Sequence, residues 1–322
     1  MIRQEIIDEI KNINEVLNLK YKSLYNISKE KLRSILSTGF GEFKDITPYT
    51  DKELEKIKLE GGLTVVDGSV NELGGASPHY IELYQAMSLN SNFDDEIVKS
   101  YCFSPLVDEN FENKNEKFSI RDKILSKLEV ECAIESVATQ KPKYVFMDGL
   151  LIRFEINCKK EWDELKSSAL KHNVILSGVI EDIKTHSIGE FLKKEGFLKN
   201  DGRFYDRETA FNLLKRNEAL ILNYNSEGKS EAGLKSMFLR SSLNPWVIGV
   251  DIIVEQSFEI ENLAKLIIAL SSKNGRGIPM PLDLVDEKVR IRTSEMEVLI
   301  KNNMDRNNFE RFFNAQRNKR TV

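Results

Sequence analysis

The sequence predicts an α/β protein: a mixed sheet flanked by helices, with helical decorations at the N- and C-terminal ends. Three observations predict it. Apolar, β-branched runs at residues 63–66, 80–89 and 97–107 follow one another with only short turn-forming stretches between them, the pattern of an antiparallel meander. From residue 144 onward, apolar runs instead alternate with amphipathic helical stretches. Neither a repeat of fixed period nor a Pro/Gly/Ser linker divides the 322 residues, so one domain is expected.

The elements follow in order. The first forty residues read as helical, because Ile6, Ile10, Ile13 and Leu17 recur at helical spacing with charges on the opposite face. Ser28 is an N-cap for a second helix, with Glu30 and Lys31 in its first turn, and Gly39 and Gly41 break the pattern. A charged helix at 51–58 ends at Gly61-Gly62. Leu63-Thr64-Val65-Val66 is a strand running into a turn at Asp67-Gly68. Gly74-Gly75 and Pro78 lead to the second strand, and Pro105 lies near the end of the third. Residues 108–117 are polar and read as a loop; residues 120–137 form a helix, and Pro142 stops it. The next strand, 144–147, again runs into Asp-Gly, at Asp148-Gly149. Helices are expected at 161–170, 188–194, 209–216 and 260–270, and strands at 174–180, 219–222, 234–239 and 246–254. Ile278-Pro279-Met280-Pro281-Leu282 and two charged helical stretches complete the chain.

Composition narrows the chemistry. With 47 Lys+Arg against 51 Asp+Glu, a net charge of -4, 41% hydrophobic and 30% charged residues, the chain has the balance of a soluble globular protein. No apolar run approaches the roughly 18 residues of a membrane span. The acidic, amphipathic start predicts no signal peptide and a cytoplasmic protein. Cys102, Cys132 and Cys158 are odd in number and widely spaced, which predicts reduced thiols rather than disulfides or a zinc ribbon. His79, His172 and His186 are the only histidines and form no H-E-x-x-H. Metal chemistry must then rest on carboxylates, which favour magnesium or manganese. Phosphate-loop, nucleophile-elbow and dinucleotide-binding motifs are absent from the sequence.

Asp-Gly occurs three times. Asp201-Gly202 follows no apolar run and reads as an ordinary turn. Asp67 and Asp148 each close an apolar strand, so both carboxylates emerge at the rim of the core, where a sheet presents groups to a crevice. The helix between them carries Glu129, Glu131 and Glu135, of which only some can face the sheet; a solvated acidic face is the plain alternative. Three carboxylates from two strand ends and a helix would repel one another unless a cation lay between them. Such a cluster suits two-metal phosphoryl transfer.

Four runs in order then carry a resemblance: Val65-Val66-Asp67-Gly68-Ser69, the helix from Arg121 to Glu131, Val145-Phe146-Met147-Asp148-Gly149, and Ile278-Pro279-Met280-Pro281-Leu282 with Asp286 beyond it. Together they resemble the NurA nuclease family over about residues 60 to 300. The resemblance implies an RNase H-like core and a manganese- or magnesium-dependent DNA nuclease. It also implies a homodimer that works with the hexameric ATPase HerA in DNA end processing or phage defence. Asp67 resembles the first metal-binding aspartate, Glu131 the helix glutamate and Asp148 the second strand aspartate. Asp286 stands where some members carry a His, and Lys184 follows the next strand in shifted register. On this basis residues 1–60 form a helical dimer or partner contact, 61–300 the nuclease domain, and 301–322 a basic helix or tail.

DNA contact is written less clearly. Residues 301–322 hold six basic groups against two acidic, so that end is +4 and the remainder -8. Phe309, Phe312 and Phe313 in the same stretch read as packing or dimer contacts rather than base-stacking platforms. Two rivals stand beside the nuclease. A non-catalytic assembly or DNA-binding subunit would lose one of the strand acids, and both are present. An actin- or sugar-kinase-like ATPase would need a second, late phosphate loop, which the sequence lacks.

Overall fold

The structure is a computed structural model and describes residues 3–108, 116–198, 202–223 and 227–314. Most of the expected loop at 108–117, the Asp201 turn and the basic residues Arg317, Lys319 and Arg320 lie outside the described residues. The described strands are β1 (Gly41–Asp45), β2 (Leu63–Gly74), β3 (Tyr80–Asn90), β4 (Ile97–Phe103), β5 (Tyr144–Asp148), β6 (Ile175–Ile180), β7 (Glu218–Leu222), β8 (Leu234–Arg240) and β9 (Ile248–Ile253). The α-helices are α1 (Gln4–Tyr25), α2 (Lys29–Gly39), α3 (Asp51–Leu59), α4 (Glu116–Thr139), α5 (Ile152–Asn157), α6 (Lys159–His172), α7 (Ser187–Lys194), α8 (Asp206–Thr209), α9 (Glu227–Glu231), α10 (Ile260–Leu270), α11 (Met280–Val289), α12 (Thr293–Asn303) and α13 (Arg306–Asn308).

The chain divides into two compact units where the sequence suggests one domain. One comprises Met1–Pro48, Ile180–Asp251 and Ile260–Ile278; the other comprises Tyr49–Val179, Ile252–Glu259 and Pro279–Val322.

The second unit carries the strand order β6-β5-β2-β3-β4. β2, β3 and β4 form the expected antiparallel meander, while β5 pairs parallel with both β2 and β6. This mixed sheet with flanking helices is the RNase H-like arrangement expected. Val65, Val66, Val145, Phe146 and Met147 are all buried, which is why β2 and β5 read as nearly continuous apolar runs. α4 lies over the meander, joined to β2 by the hydrogen bond between Thr64 Oγ1 and Ser136 Oγ at 2.9 Å. Near the chain end, Met296, Ile300, Phe309 and Phe313 pack with Leu73 and Ile81 of the β2–β3 hairpin. The aromatic cluster therefore anchors the C-terminal helices, as packing rather than as a base-stacking platform.

In the first unit the order is β1-β7-β8-β9, with β1 and β8 both antiparallel to β7. β1 has no counterpart in the sequence reading, which treats Gly39 and Gly41 only as breaks. Ser28 caps α2 as expected, its Oγ accepting from the Lys31 N–H at 3.3 Å. The helix expected at 209–216 is replaced by the single turn of α8. After it the backbone turns left-handed at Asn212 and Asn217, a conformation asparagine tolerates and a helix does not. α1 buries only Tyr21 and Leu24; Ile6, Ile10, Ile13 and Leu17 remain exposed along its apolar stripe. Among the described residues no helix is long and apolar enough to cross a membrane.

Candidate metal centre

Asp67 lies inside β2, and the turn expected at Asp67-Gly68 does not form. β2 continues to Gly74, paired throughout with β3. The strand that stops at this level is β5. Its last residue, Asp148, stands one place beyond the final registered pair with β2, Val66 and Met147, and so beside Asp67. The chain leaves the sheet at Gly149, whose φ of +91° is a left-handed value that favours glycine. Adjacent parallel strands thus bring the two aspartates together, although for Asp67 the strand end is its neighbour's and not its own.

The third acid comes from α4. Side chains alternate across a strand, so Thr64 and Gly68 share the face that α4 covers and Asp67 is on the other. Gly68 supplies room for Glu129: a Cβ at this position would stand 2.6 Å from Glu129 Oε1 and 2.8 Å from Leu125 Cδ1. The two Asp-Gly pairs look alike in sequence, yet one glycine is there for space and the other for its φ. Gly68→Ala should therefore destabilise the protein by about 1–3 kcal/mol through overpacking. Urea denaturation checks this; a wild-type midpoint would show that Glu129 does not fill the gap.

Charge accumulates here. Asp67 is buried, and that burial pushes its carboxyl up to about 7, with the charges of Asp148 and Asp286 adding to the rise. The Gly68 N–H, donating to Asp67 Oδ1 at 2.7 Å, and the Arg153 guanidinium work in the opposite direction. Glu129 is 1% exposed and is pushed up to about 8, again chiefly by burial. Arg153 draws it down, while Asp67 and Asp148 raise it further. Buried carboxylates that resist ionising together are neutralised by protons or by a bound cation.

The other sequence candidates sit differently. Glu131, expected as the helix acid, is half-buried on another side of α4, 3.8 Å from Lys127; Glu135 pairs with Lys99 at 2.5 Å. The α4 acid on which the charges of Asp67 and Asp148 act is Glu129, buried over Gly68. Asp286 lies on α11, which packs on β2 and begins at the Pro279-Met280-Pro281 run. It is half-exposed, bonded to Arg290 at 2.8 Å, and its charge is felt at Asp67. Lys184 is exposed in the loop before α7 and belongs to the first unit. Arg153, which the sequence reading passes over, donates to Glu129 and to the Asp148 carbonyl.

Asp67, Asp148, Glu129 and Asp286 form an all-oxygen donor set, the chemistry that hard divalent ions prefer. By chemistry and charge they fit manganese or magnesium. Their positions are not yet those of ligands: among the described residues no three His, Cys, Asp or Glu side chains are gathered closely enough to hold an ion. Glu129 is meanwhile bonded to Arg153.

Comparison with known proteins places the fold and the family. The NurA domain model matches residues 61–291, from just before β2 through the end of α11. A crystal structure of NurA bound to dAMP and manganese superposes with a TM-score of 0.58 at 10% identity, covering 96% of this chain and 99% of that one. A second, of NurA with manganese, gives 0.55 at 11% identity, covering 93% and 99%. At this identity the likeness speaks for the fold. No curated protein sequence matches the chain. The ordered motifs, the parallel pairing that sets Asp67 beside Asp148, and a family match over most of the chain lead to one conclusion: this protein belongs to the NurA nuclease family.

Proposed function

We propose that this chain is a divalent-metal-dependent deoxyribonuclease that hydrolyses phosphodiester bonds by a two-metal carboxylate mechanism. One observation carries the reading. Asp67 and Asp148 stand side by side on two adjacent parallel strands, and their charges act on Glu129 of the covering helix, with the Asp67 and Glu129 carboxyls pushed up to about 7 and about 8. In this reading those three acids hold manganese or magnesium, and Asp286 contributes from α11 as an outer acid. Bound there, the divalent pair supplies the nucleophile and offsets charge on the leaving oxygen.

The chain's own part is positioning. The β ladder fixes Asp67 and Asp148, and the space over Gly68 admits Glu129. A phosphodiester adds negative charge to a site that already holds four acids, so DNA approaches only a neutralised cluster. The NurA structure bound to dAMP and manganese supports both the ion and the ligand class.

The same reading takes DNA as substrate, a HerA-type hexameric ATPase as partner, a homodimer as the assembly, and cytoplasmic DNA end processing or phage defence as the setting. The exposed Ile6, Ile10, Ile13 and Leu17 stripe of α1 supports residues 1–60 as the contact segment. Co-purification with the ATPase and light scattering of the isolated protein test these two associations.

The decisive experiment incubates the full chain with linear duplex and single-stranded DNA and manganese. Wild type and Asp163→Ala, a change at an exposed ion pair on α6, should cleave; Asp67→Ala should not. Equal cleavage by the two variants would refute the carboxylate site.

A further inference from the structure

Arg153 occupies the position where a cation is most needed. It lies in the first turn of α5, four residues beyond Gly149, and its Nη2 makes two contacts: one to Glu129 Oε2 and one, at 2.6 Å, to the Asp148 carbonyl oxygen. Its guanidinium carbon lies 4.6 Å from the centre of the Phe154 ring. The two partners differ in freedom. The Arg153 side chain is 30% exposed and has a way out to solvent, whereas that of Glu129 is 1% exposed and has none. Among the described residues the buried Arg153 Nε has no hydrogen-bond partner, so the guanidinium is held from one end only. It meets Glu129 through a single nitrogen, without the parallel pair of bonds that makes an arginine–carboxylate fork strong.

A buried carboxylate left without a partner is strongly destabilising, so Glu129 needs a cation whenever it is ionised. Arg153 provides one positive charge to an electrostatic cluster of four acids. A divalent ion would bring two. We propose that Arg153 is the resident counter-cation of the acid cluster, and that a divalent ion binds by taking Glu129 from it. The inference rests on the metal-binding reading above and adds a competitor built into the fold. It also accounts for acids that feel one another's charge without being gathered as ligands: Arg153 holds Glu129 toward α5.

The test is manganese binding by the full chain without DNA, followed by the loss of the free-ion electron paramagnetic resonance signal. Thermal denaturation in EDTA and in saturating manganese accompanies it. Arg153→Gln removes the competitor, so manganese should bind roughly tenfold more tightly, the scale of one charge-assisted hydrogen bond. The metal-free melting temperature should fall while the manganese-induced rise grows. Arg153→Met, which keeps the aliphatic stem over Phe154, is the second neutral variant and should behave alike. Arg153→Lys keeps the charge and should bind manganese much as wild type does.

Unchanged or weaker manganese binding in a folded neutral variant would overturn the proposal, because Arg153 would then be a structural tie or an aid to the metal. Equal tightening in Arg153→Lys and Arg153→Gln would overturn it too, since shape and not charge would be responsible. A wild-type protein that takes up no manganese would instead sink the metal reading itself.

Discussion

Glu129→Gln should lower manganese-dependent DNA cleavage by at least about 100-fold, while Glu131→Gln stays within a few-fold of wild type. Replacing groups that only support metal ligands typically costs about 10–100-fold, so loss of a ligand belongs at or beyond the upper end. Gln keeps the size of Glu129 and can still accept a hydrogen bond from Arg153, so the change removes charge and little else. Glu131 is half-buried beside Lys127, where losing a surface ion pair is worth at most about 1 kcal/mol of stability. Circular dichroism and melting of both variants separate folding from catalysis. If Glu131→Gln were the dead enzyme and Glu129→Gln the active one, α4 would present a different face to β2 than the one described.

That pair marks the boundary of what the sequence discloses. β2 and β5 are legible because a strand buried on both faces needs a β-branched, apolar run, and each run here delivers an aspartate at its end. Their parallel adjacency follows from needing both acids in one place, and the register of Val66 with Met147 satisfies it. The turn at Asp67 fails for a specific reason. Asp-Gly is a turn signal only when the glycine's φ is used, and Gly68 is instead a gap under α4.

The burial of Glu129 is legible in principle. Ser126, Glu129, Ala133 and Ser136 are all buried and spaced three, four and three apart, so Glu129 shares the small-residue face of α4 while Glu131 and Glu135 do not. Arg153 carries no comparable signal. Its role depends on how tightly the chain turns after Asp148, and a single arginine near the start of a short helix has no pattern to reveal it. The missed β1 and the unformed helix at 209–216 have the same cause: tertiary pairing and left-handed asparagines outweigh local propensity.

Metal-free protein should lose about 3 kcal/mol of stability between pH 4 and pH 7 through Asp67 alone. In the unfolded chain its carboxyl ionises near 3.8; in the fold, burial and the charges of Asp148 and Asp286 hold it at about 7. Between those values the unfolded state has released a proton that the native state keeps, so stability falls as pH rises. The contribution is complete below 3.8 and lost once pH passes about 7. Across that window the decline is about 1.4 kcal/mol for each step of one in pH. Glu129 acts in the same direction, from 4.5 to about 8, and carries the window to pH 8. Glu218, held low by the Arg33 guanidinium and the Lys215 N–H, acts oppositely, but its share is lost only on acidification toward its folded value. Asp206, whose carboxyl is also raised by burial, acts in the same direction, so urea denaturation in EDTA above pH 5 reads the cluster by the difference between wild type and Asp67→Asn. Asp67→Asn should flatten the decline, because an amide has no proton to keep. Manganese should reverse it, with a stabilisation that grows from pH 5 to pH 8 as the carboxylates become available to the ion. Should wild type and Asp67→Asn decline in parallel, Asp67 would not be buried among like charges, and the centre would lose its first ligand.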